Sequence, residues 1–290
     1  MTVNLRLIGL FAASLALASA VPVAAQDTAT LTAPAPSAVL GDLTLRAPDG
    51  RDIPVFVFPA AEERAVVVFS HGLGGDPRAY REIIGRWAQA GFTVVAPLHV
   101  DSQRHPGGGR AGGAVAFMTR IADLAVVRDH VRAEHAGKPM AAAGHSFGSL
   151  LSLMAGGAVT AVGPQSDPDV RVVVALSSPG AIQGLVQPET YGGLTVPMLM
   201  VTGDADVVET YAPDWRDHRI PFDTAPPGDR MLVIFEGGGH GLVVEGTQAQ
   251  RAFLAEVSLD FLRAHTLGDT TAQARLAALP APAGVQIERR

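Results

Sequence analysis

The sequence predicts an α/β protein: a mostly parallel, doubly wound sheet with helices on both faces, entered through an N-terminal antiparallel hairpin. Three observations predict it. Nearly unbroken apolar runs at 65–69, 92–96, 140–143, 170–176, 197–201 and 230–235 fit strands buried on both faces, as parallel sheets require. Stretches of helical periodicity stand between them, and such alternation is what crossover connections produce. Residues able to do chemistry follow directly after several of the runs, where α/β sheets gather their sites.

In chain order, the first segment is not part of this fold. Residues 5–20 are almost wholly apolar, Arg6 carries the segment's one charge, and Val23-Ala24-Ala25 forms a small-x-small site. That order predicts a signal peptide over 1–25, with Gln26 as the mature N-terminus and a periplasmic or secreted product. The apolar core falls short of the ~20 residues that span a bilayer, so no stable membrane insertion is expected. Residues 26–40, rich in Ala, Pro and Thr, read as a flexible leader. The runs 43–46 and 53–58 flank the turn signal Pro48-Asp49-Gly50 and read as the hairpin.

Helices follow from periodicity and punctuation. The stretch 77–90 opens on Pro77, places Ile83, Ile84 and Trp87 on one face and stops before Gly91. A longer helix over 114–135 carries the stripe Phe117, Ile121, Leu124, Val127 and Val131. Helices over 149–158 and 247–264 complete a catalytic domain spanning 41–265. The Ala- and Pro-containing tail 266–290 receives no element.

Composition narrows the chemistry. The chain has no cysteine, which excludes disulfides, a thiol nucleophile, thiolate metal sites and a lipidated cysteine. A net charge of −6 with no Lys/Arg cluster argues against nucleic acid or an anionic membrane as partner.

Gly144-His145-Ser146-Phe147-Gly148 joins the strand at 140–143 to the following helix. A G-x-S-x-G pentapeptide in that setting is a nucleophile elbow, with Ser146 thrust out on a strained turn. A serine hydroxyl needs a base. His240, in Gly239-His240-Gly241 after the strand at 230–235, is the candidate among nine histidines. His71 and His145 also stand at strand ends, but each is built into a turn and is expected to support loops. The orienting acid should lie between serine and histidine in chain order. Asp204 and Asp206 both follow the strand at 197–201. Asp206, beyond the Gly203 turn, is favoured because it can look back over the sheet; Asp204 would then hold the turn. Residues 177–187, after the preceding strand, contain neither Asp nor Glu. Backbone N–H donors for the developing oxyanion are expected from Phe147 and from Leu73 in Ser70-His71-Gly72-Leu73-Gly74-Gly75.

These strings, in this order, resemble the α/β-hydrolase superfamily. More narrowly they are similar to the bacterial predicted dienelactone-hydrolase group and the platelet-activating-factor acetylhydrolases, notably in Ser70–Gly74 and Gly144–Gly148. The stretch from Arg219-Ile220-Pro221-Phe222-Asp223 to Gly228-Asp229 also looks like the dienelactone type. The resemblance covers roughly 41–265 and implies an esterase using Ser146, Asp206 and His240, with no cofactor. Two departures stand out. Dienelactone hydrolase proper uses a cysteine nucleophile, and the acetylhydrolases place their acid after the preceding strand, where this chain has Ser177-Ser178-Pro179-Gly180.

Two further signals are set aside. Gly107-Gly108-Gly109-Arg110-Ala111-Gly112 formally matches G-x-G-x-x-G but trails its strand by about ten residues, which a dinucleotide turn does not do. It reads as a loop bordering the cleft. His99, Asp101 and His105 lack a second histidine pair and read as hydrogen-bonding groups, so no metal is expected. With no long insertion between Leu176 and Pro197, at most a small lid is expected over a fairly open cleft suited to short or accessible esters. An amidase or peptidase on the same scaffold and a non-catalytic envelope binding protein are the rival readings.

Overall fold

A computed structural model describes residues 41–290. The expected signal peptide and leader lie outside the described residues.

The hairpin comes first. Strands β1 (Leu43–Arg46) and β2 (Asp52–Phe58) pair antiparallel with Leu45 opposite Ile53. β3 (Ala65–Ser70) is buried throughout. A 3₁₀ turn at Pro77–Tyr80, capped by the Asp76 carboxylate on the Arg78 N–H, leads into α1 (Arg81–Gln89). β4 (Phe92–Pro97), α2 (Gly113–Glu134), β5 (Met140–His145) and α3 (Phe147–Ala155) follow. A two-residue hairpin of β6 (Val159–Thr160) and β7 (Gly163–Pro164) precedes β8 (Val170–Leu176) and β9 (Met198–Gly203). Then come α4 (Ile220–Thr224), β10 (Arg230–Phe235), α5 (Leu242–Glu245) and α6 (Gln248–Thr266). α7 (Thr270–Ala278) and β11 (Val285–Arg289) close the chain.

Nine strands form one sheet in the order β1-β2-β4-β3-β5-β8-β9-β10-β11. The pairings from β4 to β10 are parallel, and the two flanks, β1-β2 and β11, are antiparallel. The chain moves outward from β3 to β4 and then returns to place β5 on the other side of β3. Between β3 and β5 the connections therefore diverge, opening a crevice at the strands' carboxyl ends.

Strand alternation divides the core in two. Val66 and Val68 face a cluster with Phe117 and Leu124 of α2, Leu150 of α3 and Phe222 of α4. Val67 and Phe69 face the other, with Ile84 and Trp87 of α1 and Phe261 of α6. Both faces are thus covered, which explains the unbroken apolar runs of the inner strands.

The tail is where the structure departs most from expectation. The fold does not stop at His265. Asp269 accepts hydrogen bonds from the Thr271 and Ala272 N–H groups and starts α7. β11 then pairs antiparallel along β10, Val233 opposite Ile287. Without it β10 would present a bare edge of unpaired backbone groups. The signal is faint in sequence because an edge strand with only two apolar residues, Val285 and Ile287, has little to alternate. Smaller shifts have local causes: α3 begins at Phe147 because Ser146 turns straight into it, and it ends at Ala155 before the pair Gly156-Gly157.

Candidate active site

Ser146 sits between β5 and α3 with φ 52° and ψ −122°. For a non-glycine residue this backbone is strained by about 1–3 kcal/mol and persists only where its surroundings impose it. They do so by contact. A Cβ on Gly144 would come within 2.5 Å of the Gly148 backbone, and one on Gly148 within 2.0 Å of the Ser70 carbonyl oxygen. Only glycine at both positions lets the turn close this tightly against β3. The Ser146 N–H donates to the Leu176 carbonyl (2.8 Å) and the Ser149 hydroxyl to the Ser146 carbonyl (2.6 Å).

The loops after β9 and β10 converge on this serine. His240 Nε2 lies 2.8 Å from Ser146 Oγ, and its Nδ1 lies 2.8 Å from Asp206 Oδ1. A carboxylate only accepts, so Nδ1 carries the proton and Nε2 is free to receive the serine hydroxyl's. Asp206 is fully buried. Its Oδ2 accepts from the Thr202 hydroxyl at 2.8 Å. Burial would raise its pKa, but the close contact of the His218 ring, the hydrogen bond from His240, the charge of His218 and the Ser177 hydroxyl outweigh it and hold the carboxyl far below the usual range. Asp204 is exposed and accepts the Gly237 N–H at 2.6 Å, bracing the turn before His240.

Two more histidines support the loops. His145 Nε2 meets the His240 carbonyl at 2.8 Å, so it donates there, and Nδ1 accepts from the Tyr80 hydroxyl at 2.9 Å. Burial, with the neighbouring His240, pushes its pKa down to about 4. His71 Nδ1 donates to the Gly72 carbonyl at 2.7 Å, and its Nε2 accepts the His99 N–H at 3.0 Å. Burial, followed by the charge of Arg120, takes its pKa to about 3. Both rings stay neutral and structural.

Arg120 organises the loop after β3. Its fully buried guanidinium pairs bidentately with Asp101, Nε and Nη2 each 2.7 Å from a carboxylate oxygen. It also donates to the carbonyls of His71 (2.6 Å) and Gly72 (3.0 Å). In a trans peptide the N–H points opposite to the C=O. Anchoring the Gly72 carbonyl on Arg120 therefore turns the Leu73 N–H away from it. Among the described residues that N–H meets no protein acceptor. Phe147, as the first residue of α3, has no intrahelical acceptor for its own N–H. Arg120 also lies 4.9 Å above the Phe147 ring. Asp101 completes the clamp by accepting the Gly74 N–H at 2.8 Å. Either ion alone would be a buried uncompensated charge, which costs about 3–5 kcal/mol.

The residues weighed as metal ligands are thus engaged otherwise: Asp101 by Arg120, His99 Nε2 by the Ser70 hydroxyl at 2.8 Å, and His105 Nδ1 by the Gly107 N–H at 3.1 Å. Asp206, His218 and His240 have ligand atoms within 4.8 Å of one another. In that set His240 Nδ1 already donates to Asp206, and His218 Nε2 faces the same carboxylate at 2.9 Å.

A cavity of about 400 Å³ opens on Ser146, within the usual size of small-molecule sites. Its wall is apolar: Phe117 and Met118 of α2, Phe147, Ile182, Leu185 and Tyr211 among others, with no Asp, Glu, Lys or Arg. Residues 179, 182–185, 208, 211 and 212 roof it from two short loops. The glycine-rich run at 107–112 does not line it; Gly113 and Ala114 at the start of α2 do.

Sequence reasoning named Ser146, Asp206, His240, Leu73 and Phe147, and the structure brings all five to one place. It missed His218 and Arg120. His218 lies on a 3₁₀ turn at Trp215–Arg219 between β9 and β10 with no motif to mark it. Arg120 offered one faint signal, a charge interrupting the apolar side of α2.

The chain is similar to known proteins in part of its sequence and in its fold. A family profile described as "Serine aminopeptidase, S33" matches residues 61–188. A highly thermostable carboxyl esterase from Bacillus coagulans, solved with glycerol, superposes with a TM-score of 0.61 at 15% identity, covering 77% of this chain and 98% of its own. TT1662 from Thermus thermophilus superposes at 0.53 with 21% identity, covering 73% and 92%. The chain has the α/β-hydrolase fold.

Proposed function

We propose that the protein hydrolyses carboxylic esters with an apolar acyl group through an acyl-enzyme on Ser146. The observation that carries this reading is the largely apolar cavity, without a carboxylate in its wall, that ends at the Ser146–His240–Asp206 chain. Ser146 Oγ attacks the ester carbonyl while His240 Nε2 takes its proton, and Asp206 keeps the proton-bearing Nδ1 in place. The N–H groups of Leu73 and Phe147 receive the oxyanion. The intermediate collapses, the alcohol leaves with the proton from His240, and water then attacks the acyl-enzyme by the same route. The resemblance of Ser70–Gly74 and Gly144–Gly148 to the acetylhydrolases adds support for an ester.

The family profile's description favours a second reading, an aminopeptidase. Such an enzyme must hold a substrate ammonium, and a buried ammonium needs a partner charge. The cavity wall offers no carboxylate.

A series of p-nitrophenyl esters and matching p-nitroanilides tests the choice. Each methylene buried in the cavity should raise kcat/KM about fourfold, from ~0.8 kcal/mol per CH₂, until the cavity is full. Anilides, with their stronger scissile bond, should turn over far more slowly. Equal turnover of aminoacyl anilides and esters would transfer the assignment to a peptidase.

We also infer export, on the strength of the apolar run at 5–20 and Val23-Ala24-Ala25. Mass spectrometry of protein from its native host should find Gln26 at the N-terminus. A cytoplasmic product retaining Arg6 would contradict this.

A further inference from the structure

We propose that His218 is a positioning residue of the site: a buried imidazolium that holds the Asp206 carboxylate from behind and neutralises its charge. The inference deepens the proposed function and rests on it for its catalytic meaning.

The protonation state follows from what surrounds the ring. His218 Nδ1 lies 2.6 Å from the Ser178 carbonyl oxygen, which can only accept, so Nδ1 carries a proton. Nε2 lies 2.9 Å from Asp206 Oδ1. Its N–H is not aligned on that oxygen as a directed hydrogen bond, so the contact is a close ion pair. The group offered to Nε2 is therefore an acceptor. A lone pair there would face oxygen lone pairs, whereas a proton meets a full negative charge. Both side chains are shut off from water, at 1% and 0% exposure, so an ionised Asp206 without a counter-charge would be costly. Burial alone would push the His218 pKa down, but the Asp206 carboxylate and the Ser178 carbonyl outweigh it and raise it.

The surrounding charges leave this pair isolated. On the same turn, Asp217 caps the Asp214 N–H, and Arg219 is engaged by Asp223 and Glu288. Across the site the facing rings are His240, 5.8 Å away between centroids, and beyond it His145, whose ring lies 5.0 Å from that of His240. His145 is neutral, as shown above. Asp206 thus serves two imidazoles, one charged at rest and one that becomes charged only when it takes the serine proton.

This has a consequence for catalysis. A resting positive charge behind Asp206 repels a second positive charge on the neighbouring His240 ring. Replacing His218 with a neutral residue should let His240 gain a proton more readily. The acid limb of kcat/KM would then move to higher pH by about 1–2 units, from a unit charge roughly 6 Å away in a partly screened site. A side chain that only filled space would leave the limb where it is.

The test has two arms. In ¹⁵N-correlated imidazole spectra of the wild-type protein at pH 8, one histidine should still bear both protons, and its signals should vanish in His218→Gln. In parallel, His218→Gln, with melting confirming that it folds, should show the displaced acid limb on the best ester of the panel. Absence of any doubly protonated imidazole at pH 8 would overturn the proposal, as would an unmoved limb in a folded variant. If His218→Gln does not fold, the wild-type spectrum alone decides. The spectrum needs no turnover, so a protein that cleaves no ester yet shows this imidazolium would sink the proposed function and leave the charge pair standing.

Discussion

Ser146→Ala should lower ester turnover by about 10⁴- to 10⁶-fold, the range expected when the nucleophile of a cooperating Ser–His–Asp set is lost. The fold should survive. Alanine removes one hydroxyl from a partly open position, and the turn is held by the Ser146 N–H bond to Leu176 and by the glycines on either side, all of which remain. Residual rate would come from the Leu73 and Phe147 N–H groups and from binding alone. The check is kcat on the ester panel beside a thermal melt. Turnover within tenfold of wild type in a folded variant would remove Ser146 from the mechanism.

Asp206→Asn should be the second largest loss, about 10⁴-fold in kcat. An amide can present its NH₂ to His240 Nδ1, which then must accept, and the proton moves to Nε2 where the base is needed. The variant also strips His218 of its counter-charge, so the melting temperature should fall as well. Asp204→Asn serves as its control. Asp204 is exposed, and an asparagine oxygen can still accept the Gly237 N–H, so that change should cost under ~1 kcal/mol and little rate. Measuring kcat per folded molecule for both separates them. An active Asp206→Asn beside an inactive Asp204→Asn would reverse the roles.

Much of this site was legible because its parts are local in the chain. Ser146, Asp206, His240 and the Leu73 loop each come directly after a buried strand, and such strands announce themselves by unbroken apolar runs. The position of the Gly203 turn favoured Asp206 over Asp204 without fixing which carboxylate meets His240; in the structure it is Asp206. What sequence did not disclose are contacts between distant elements. Arg120 on α2 reaches the loop after β3, and its purpose appears only when Asp101 and the carbonyls of His71 and Gly72 surround it. His218 meets Asp206 because the turn at Trp215–Arg219 packs back over β9, and no spacing rule predicts that. The edge strand β11 escaped for a different reason. Half of it faces solvent, so Val285 and Ile287 supply too short an alternation to stand out in an Ala- and Pro-rich tail.

Among the described residues, no helix is long and apolar enough to cross a membrane, and the apolar surface that invites a ligand is the cavity beside Ser146. Arg120 and His218 place a buried cation on each side of the reacting centre, and each is balanced by one carboxylate, Asp101 and Asp206. The Leu73 loop and Asp206 are thereby held by separate ion pairs.

A serine that attacks its substrate can be trapped as a covalent adduct, and Ser146 is open to that trap. Incubation with a fluorophosphonate carrying an apolar chain, followed by intact-mass and peptide mass spectrometry, should find one adduct per chain on the peptide containing Ser146. Ser146→Ala should take up none. No adduct on the folded wild-type protein, or an adduct on another residue, would rule out Ser146 as the nucleophile.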